Sequence, residues 1–478
     1  MTWETVIGLE VHVQLNTKSK LFSASSTTYG GEPNSQTSFI DAGLPGVLPV
    51  LNEEAVKKAL RFGLAIDANI NNQSYFERKN YFYPDLPKGY QISQFQRPII
   101  GQGHLTISLQ DGTTKTVIID RAHLEEDAGK SVHDAHPQLT GIDLNRAGTP
   151  LLEIVSAPCL YSAEEAITYL KVLHQLVRFL DISDGNMQEG SFRCDVNLSL
   201  RPSGTSTLGT RTELKNLNSF RYIEKAIEYE ALRHQDLLES GQEVIQETRL
   251  FSPASNTTHS MRGKESEQDY RYFPDPDLLP IEITEAFLND IKDAMPRLPE
   301  DIKKELHQER DLKEDDIEFL LSSPTNVHYF YRTQEHTKAS SKLIANWLKG
   351  PYAAVLNERG ETFDNPPIEA KQFALLLDQI ADNVLSSNQA KTVFSKLLAK
   401  EGSVDEIIVT EGFNSSFDLS ELDKIIADII AKHPQQAEEY KNGKEKLLAF
   451  FVGQVMKATK GKANPEMIGQ VVRKQLLK

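Results

Sequence analysis

The sequence predicts an α+β protein, a large mixed N-terminal part followed by helices, and three observations predict it. Residues 1 to about 290 alternate strand-like runs with Gly and Pro punctuation, and carry helical periodicity around 53–66, 162–180 and 219–240. Beyond 295-MPRLPED-301 the chain turns to long stretches rich in Leu, Ile, Lys and Glu, which read as helices. Near the C-terminus the charge reverses: residues 401–440 hold ten acidic and two basic residues, whereas 441–478 hold nine Lys or Arg and two Glu. Gly402-Ser403 marks a further boundary near 400.

The first strand is expected within 5-TVIGLEVHVQL-15. After Gly8, Glu10, His12 and Gln14 share one face, and Val11, Val13 and Leu15 the other. The segment 191-SFRCDVNLSL-200 repeats the pattern, with Arg193, Asp195 and Asn197 opposite Cys194, Val196 and Leu198. Cys194 thus falls on the apolar side and reads as a buried small hydrophobe rather than a nucleophile. In 209-GTRTELKNLN-218, Arg211, Glu213 and Lys215 alternate with smaller or apolar residues. Half-exposed antiparallel strands produce such alternation without any site. Short ligating groups mixed with Arg and Lys also suit a metal-bound phosphate, because magnesium takes carboxylates while the cations neutralise phosphate oxygens.

The stretch 121-RAHLEEDAGKSVHDAH-136 contains the tail of a phosphate-binding loop, Gly129-Lys130-Ser131. The full motif requires glycine where Leu124 stands, and Glu125, Glu126 and Asp127 would set three carboxylates where phosphates belong. A zinc site would need more than His123, His133 and His136, and HExxH is absent. The third reading extends 116-TVIIDRAHLEED-127 as a strand with Arg121, His123 and Glu125 on one face and Glu126 and Asp127 at its end.

Composition narrows the class. No apolar run approaches the roughly 18 residues of a membrane span, and the start lacks the basic-then-apolar order of a signal peptide. Two cysteines, Cys159 and Cys194, exclude a disulfide scaffold and a four-cysteine zinc site, so a reducing cytoplasm is expected. A net charge of −16 argues against wholesale coating of nucleic acid but permits a local basic patch. The helical pattern 443-GKEKLLAFFVGQVMKATKGKANPEM-467, with Lys444, Lys446, Lys457, Lys460 and Lys462 around an apolar face, is either a solvated basic face or an arm that contacts phosphates.

Seven ordered segments resemble the GatB/GatE family, the B subunits of tRNA-dependent amidotransferases: 7-IGLEVHVQL-15, 78-RKNYFYPDLPKGYQISQ-94, 123-HLEEDAGKS-131, 143-DLNRAGTPLLEIVS-156, 189-EGSFRCDVNLS-199, 213-ELKNLNSF-220 and 269-DYRYFPDPDL-278. The tail 441-KNGKEKLLAFFVGQVMKATKGKANP-465 is similar too, and the chain has no room for the large insertion of the archaeal form. The resemblance implies a cradle domain (1–292) with an antiparallel sheet of the glutamine-synthetase and guanido-kinase type, an all-α domain (293–400) and a small helical tail domain (401–478). It implies ATP- and Mg2+-dependent phosphorylation of the side-chain carboxylate of Glu-tRNA(Gln) or Asp-tRNA(Asn), then amidation by ammonia. The ammonia would come from an amidase-type A subunit, and the heterotrimer would be completed by a small C subunit.

On that resemblance Glu10, His12, Glu125, Glu126, Asp195 and Glu213 would hold magnesium or a water, and Lys79, Lys88, Arg193 and Lys215 would face the ATP phosphates. Tyr81, Lys88, Asp127 and Thr149 would line the ammonia path, with Glu126 alternatively its gate, and Lys441, Lys444, Lys457, Lys460 and Lys462 would touch tRNA. Tyr81, Phe82, Tyr83 and Pro84 fit either core and turn packing or a role near the acceptor end. Two other classes stay open: a stand-alone ATP-dependent carboxylate–amine ligase, and a non-catalytic tRNA-binding protein of the same complex.

Overall fold

The computed structural model describes residues 2–136, 138–261, 270–413, 419–459 and 465–477. They divide into two compact units, Met1–Asp301 and Ile302–Lys478. The first is mixed. In chain order its elements are β1 (Trp3–Gln14), α1 (Glu53–Ala65), β2 (Gln73–Ser74), β3 (Glu77–Asn80), β4 (Tyr90–Ser93), β5 (Gly103–Ser108), β6 (Thr114–Glu126), β7 (Lys130–His136), β8 (Leu139–Asp143) and β9 (Pro150–Ser156). Then follow α2 (Ala163–Phe179), β10 (Phe192–Pro202), β11 (Thr212–Lys215), α3 (Phe220–Glu239), β12 (Glu247–Ser252), β13 (Thr257–Ser260), β14 (Phe273–Pro274), β15 (Ile281–Glu282) and α4 (Glu285–Asp293).

The three helices foreseen in this part start where local chemistry allows. Asn52, Ser162 and Ser219 cap α1, α2 and α3 by accepting from the Glu54, Glu165 and Tyr222 amides, which satisfies amides that have no partner inside the helix. Their spans agree with the periodicity of the sequence.

Eight strands form the main sheet in the order β13-β12-β11-β10-β1-β9-β6-β5. Its pairings are antiparallel except one: β11 and β12 run parallel, which departs from the wholly antiparallel sheet expected. The cause is α3, a crossover long enough to return the chain in the same direction. One face is fully buried. Leu9, Val11 and Val13 of β1, Cys194, Val196 and Leu198 of β10, Leu152 and Ile154 of β9 and Leu124 of β6 belong to one core with Leu170, Leu173 and Val177 of α2 and Ile223, Ala226 and Ile227 of α3. Three small sheets accompany it, β14-β3-β4, β15-β2 and β7-β8.

Residues 15–52 form a long irregular connection clamped by a buried ion pair, Lys20 to Asp41 at 3.1 Å. Lys20 also donates to the Leu144 carbonyl at 3.2 Å, and Asp41 accepts from Ser23 Oγ at 2.9 Å and the Ser38 amide at 2.8 Å. Burial lowers the proton affinity of Lys20, and Asp41 partly offsets it.

Every element described in the second unit is a helix. Toward the C-terminus Leu419–Lys432, Pro434–Lys441, Leu447–Ala458 and Pro465–Leu476 share a core that includes Leu422, Ile426, Phe451, Val455, Ile468 and Val472. The single helical run expected over 443–467 is therefore corrected: a helix occupies 447–458 and another begins at Pro465, a residue suited to a first helical turn.

Two outcomes follow. Glu230 of α3 has no exposed side chain and is bound by Arg233 Nη2 at 2.6 Å, His234 Nε2 at 3.2 Å and Thr258 Oγ1 at 2.7 Å. Burial opposes its charge, but His234, Arg233 and Thr258 hold its pKa down to about 2 from an ordinary 4.5. A depressed carboxyl stabilises fully above its unfolded value and loses that contribution as pH falls from 4.5 through about 2. Glu230→Gln is expected to lower unfolding stability at neutral pH by about 3 kcal/mol and to flatten its acid dependence, as read by urea denaturation at several pH values. Burial pushes the Cys194 thiol well above its ordinary range. Thiol labelling with peptide mapping is therefore expected to modify Cys194 only after unfolding.

Candidate active site

The polar face of the main sheet is built by register. Glu10 lies opposite Asp195 of β10 and Val155 of β9, and His12 opposite Arg193 and Glu153. Glu153 in turn lies opposite His123 of β6. Arg193, His12, Glu153 and His123 thus form one row across four neighbouring strands. Asn197 lies opposite Glu213 of β11, which extends the face to a fifth strand.

Two groups of possible metal ligands result, each with donor atoms within 4.8 Å of one another: His12, Glu125 and Glu153, and Glu10, Asp195 and Glu213. In the first, Glu153 is 3.5 Å from His12 Nε2 and 3.3 Å from His123 Nε2, while Glu125 is 3.8 Å and 3.7 Å from the same atoms. Burial disfavours charge on both imidazoles, yet the carboxylates win: His12 is raised and His123 is pushed up to about 9. Glu153 is held well below the carboxylate range against its burial, chiefly by His123 and His12.

In the second group, Lys215 Nζ bridges Asp195 at 2.5 Å and Glu213 at 3.0 Å. Glu10 accepts from Asn197 Nδ2 at 2.8 Å. Burial and then the charge of Glu153 raise its carboxyl, with Asp195 and Glu213 adding to the rise against the Asn197 bond. This concentration of like charge suits a hard divalent cation, which takes carboxylate oxygens. Buried Arg193 Nε and His123 Nδ1 have no hydrogen-bond partner among the described residues, so the face retains polar atoms for an incoming group.

Lys79 of β3 completes the charge pattern. Burial disfavours its ammonium, yet Glu125, then Tyr272 and Glu153, hold it above its ordinary value. Its Nζ stands 4.9 Å from the Tyr270 ring and 5.8 Å from the Tyr81 ring.

The other expected site residues are placed as follows. Glu126 is not among the grouped carboxylates: it pairs with Lys88 and accepts from the Ile92 amide at 2.9 Å. Lys88 is correspondingly buried against Glu126. Lys215 is engaged by carboxylates, and Arg193 Nη2 donates to Asp127 at 2.9 Å. Glu10, Asp195 and Glu213 are brought together in one group, and His12 and Glu125, with Glu153, in the other.

Tyr81 Oη donates to Gln91 Oε1 at 3.2 Å, and Gln91 Nε2 to the Glu126 carbonyl at 2.7 Å. Asp127 is held low, against its burial, by Arg193 and Arg146, and its amide bonds the Thr149 carbonyl at 2.8 Å. A cavity of about 840 Å3 opens beside this region, lined by Gln14, Thr149, Arg193 and Asp195 together with Tyr29 and Lys130. In the tail Lys441, Lys444 and Lys457 are exposed, whereas Lys460 and Lys462 lie outside the described residues. His133 is exposed on β7 and bonds Thr140, and the side chain of His136 lies outside the described ones.

Glu153 is the residue that sequence reasoning missed. Its one signal was a lone carboxylate inside the apolar run 150-PLLEIVS-156.

A family model described as the GatB/GatE catalytic domain matches residues 5–289, and one described as the GatB domain matches 328–476. Proteins named as the B subunit of aspartyl/glutamyl-tRNA(Asn/Gln) amidotransferase are similar over the whole of both chains. The one from Legionella pneumophila (strain Lens) is 64% identical over 476 residues. Those of Coxiella burnetii (strain CbuG_Q212) and Nitrosococcus oceani are 54% and 52% identical over 477 and 476 residues.

Glu153→Gln leaves size unchanged but removes the anion shared by two imidazoles. Its affinity for Mn2+, used as a probe in calorimetric titration, is expected to fall roughly 10- to 100-fold. An unchanged affinity would show that this row holds no cation.

Proposed function

The chain belongs to the GatB/GatE family, and from that premise we propose how it acts within a tRNA-dependent amidotransferase, a ligase that forms a carbon–nitrogen bond. The substrate is a tRNA misacylated with Glu or Asp, and the product carries Gln or Asn. The in-register carboxylate and cation face carries this reading.

A carboxylate resists attack by ammonia because its leaving group would be oxide. Phosphoryl transfer from ATP to one side-chain oxygen replaces that group with phosphate. Ammonia then adds to the acyl carbon, the carbon–oxygen bond breaks toward phosphate, and loss of a proton leaves the amide. Here the catalyst positions reactants and balances charge. His12, Glu125 and Glu153, and Glu10, Asp195 and Glu213, are the residues that would hold Mg2+. When bound, the ion neutralises the phosphoryl oxygens during transfer. Lys79 orients the anionic substrate, while Arg193, held by Asp127, and Lys215, held by Asp195 and Glu213, supply the positive charge that faces phosphate.

Ammonia comes from glutamine hydrolysed in an amidase-type partner, with a small third protein in the complex. Its path runs past Lys88 and Glu126, along Gln91 and Tyr81, to Lys79, with Asp127 and Thr149 as further polar lining. The observation behind this path is the chain of bonds from Lys88 through Glu126 and Gln91 to Tyr81. The N-terminal unit acts as the cradle, and 293–400 and 401–478 as separate helical domains. Lys441, Lys444 and Lys457, with Lys460 and Lys462, reach tRNA phosphates through charge and shape. The reaction takes place in the cytoplasm.

Glu10→Gln and Asp195→Asn, each in the assembled complex, are expected to lower ATP-dependent amidation at least about 1000-fold and to leave tRNA affinity within a factor of about 2, because the tail's phosphate contacts persist. Charged tRNA analysed by mass spectrometry, with ATP hydrolysis measured in parallel, reads both. Full ATP hydrolysis by both variants would remove the phosphorylation site from this face. Amidation that survives deletion of residues 408–478 would favour a stand-alone carboxylate–amine ligase.

A further inference from the structure

A run of aromatic rings leads from the surface to the carboxylates. Phe95 stacks on Tyr272 with centroids 4.4 Å apart and planes 10° from parallel. Tyr272 meets Tyr270 at 6.1 Å, and Tyr270 meets Tyr81 at 6.0 Å. Lys79 Nζ sits over the Tyr270 and Tyr81 rings, and Glu125 and Glu153 act on its charge. The outer end of the run is open, with Phe95 53% exposed.

The ring-bearing segment is built in by its backbone. Arg271 adopts φ 43°, a left-handed conformation that is costly for a side chain of its size. Asn80 of β3 fixes it: its amide donates to the Tyr270 carbonyl at 3.0 Å, and its Nδ2 to the Tyr270 and Arg271 carbonyls at 3.1 Å and 2.9 Å. Residues on either side of a left-handed centre are thereby held in place against β3. Core packing does not require this, since Phe95 faces solvent and Tyr270 and Tyr272 are only half-buried.

Resting on the amidotransferase reading above, we propose that Phe95, Tyr272 and Tyr270 form a stacking surface for the unpaired 3′-terminal nucleotides of the aminoacyl-tRNA. The reacting carboxylate hangs from the terminal ribose by no more than an amino-acid side chain and an ester. Its nucleotide must therefore lie beside Lys79 and Glu125, where the rings stand. Aromatic faces accept any base and suit a 3′ end shared by different tRNAs. A protein partner seated on the same rings would close the route that the substrate needs.

The test is a coupling cycle on the assembled complex, using tRNA with its complete 3′ end and tRNA trimmed of its last three nucleotides. Trimming is expected to weaken binding to the unaltered protein by about 10-fold or more, and to weaken binding to Phe95→Ala and Tyr272→Ala several-fold less. Phe95→Trp, which keeps a stacking face at an exposed position, should restore the trimming penalty. A 2-aminopurine placed at the 3′ end should be quenched by the unaltered protein and by Phe95→Trp, and less by Phe95→Ala. The inference is overturned if the alanine variants leave the trimming penalty intact, or if they bind both tRNAs normally but fail to assemble with the partner proteins. Absence of tRNA binding by the unaltered complex would instead remove the amidotransferase reading, and this inference with it.

Discussion

The charged groups on the polar face of the main sheet owe their positions to its buried face. Side chains alternate along a strand, so sliding any strand by one residue would drive its apolar set into water and its carboxylates into the core. Leu9, Val11 and Val13, with Val196, Cys194 and Phe192 opposite them, are all at most 2% exposed. Each large aliphatic side chain buried in this way contributes about 1.5–3 kcal/mol. The sum locks register far more firmly than charge–charge contacts across the polar face could. The site therefore needs no loop to shape it: Glu10, His12, Asp195 and Glu153 are where they are because the valines and leucines between them are in the core.

That arrangement gathers charge that must be compensated, and the two ends of the face do it differently. Around His12, two imidazoles share Glu153, so one anionic group lies between two cationic ones. Around Glu10, Lys215 neutralises Asp195 and Glu213 while Glu10 is left with an amide donor. Glu10 and His12 are two positions apart on β1, about 6.8 Å along the strand, so alternation puts both on the same face and each heads one of the two ligand groups.

Much of this was legible because it is local. The spans of α1, α2 and α3 follow from apolar periodicity and a capping Asn or Ser, and the polar faces of β1 and β10 from strict alternation. What was not legible is non-local. Glu153 lies in an apolar run, and only pairing of β9 between β1 and β6 reveals its two histidine neighbours. Lys88 and Glu126 are 38 residues apart, and nothing in either segment announces a buried pair. The parallel β11–β12 pairing depends on how α3 returns the chain, which alternation does not encode. In the tail, a run of apolar and basic residues over 443–467 cannot by itself reveal the break before Pro465.

The doublet Glu125-Glu126 shows how finely such a site is tuned by backbone. Adjacent residues of a strand leave on opposite sides, so the two carboxylates are bound to serve different surroundings. Glu125 meets His12, His123 and Ser93, whereas Glu126 meets Lys88 and the Ile92 amide. Which of them faces the histidines is decided upstream, where the register of β6 against β9 shifts between Ile119 and Arg121. Exposed Asp120 is the additional residue of this bulge. If Asp120 instead paired with Val155 in the place of Arg121, every later residue of β6 would sit one place further back along β9: Glu125 would take the place opposite Pro150 that Glu126 now holds, and Leu124 the place opposite Leu151 that Glu125 now holds. Lys88 would then meet Glu125, and an apolar side chain would stand where Glu125 now meets His12. Adjacent strand residues face opposite sides, so the one extra residue at Asp120 decides which carboxylate of the doublet serves the row of histidines and which serves Lys88.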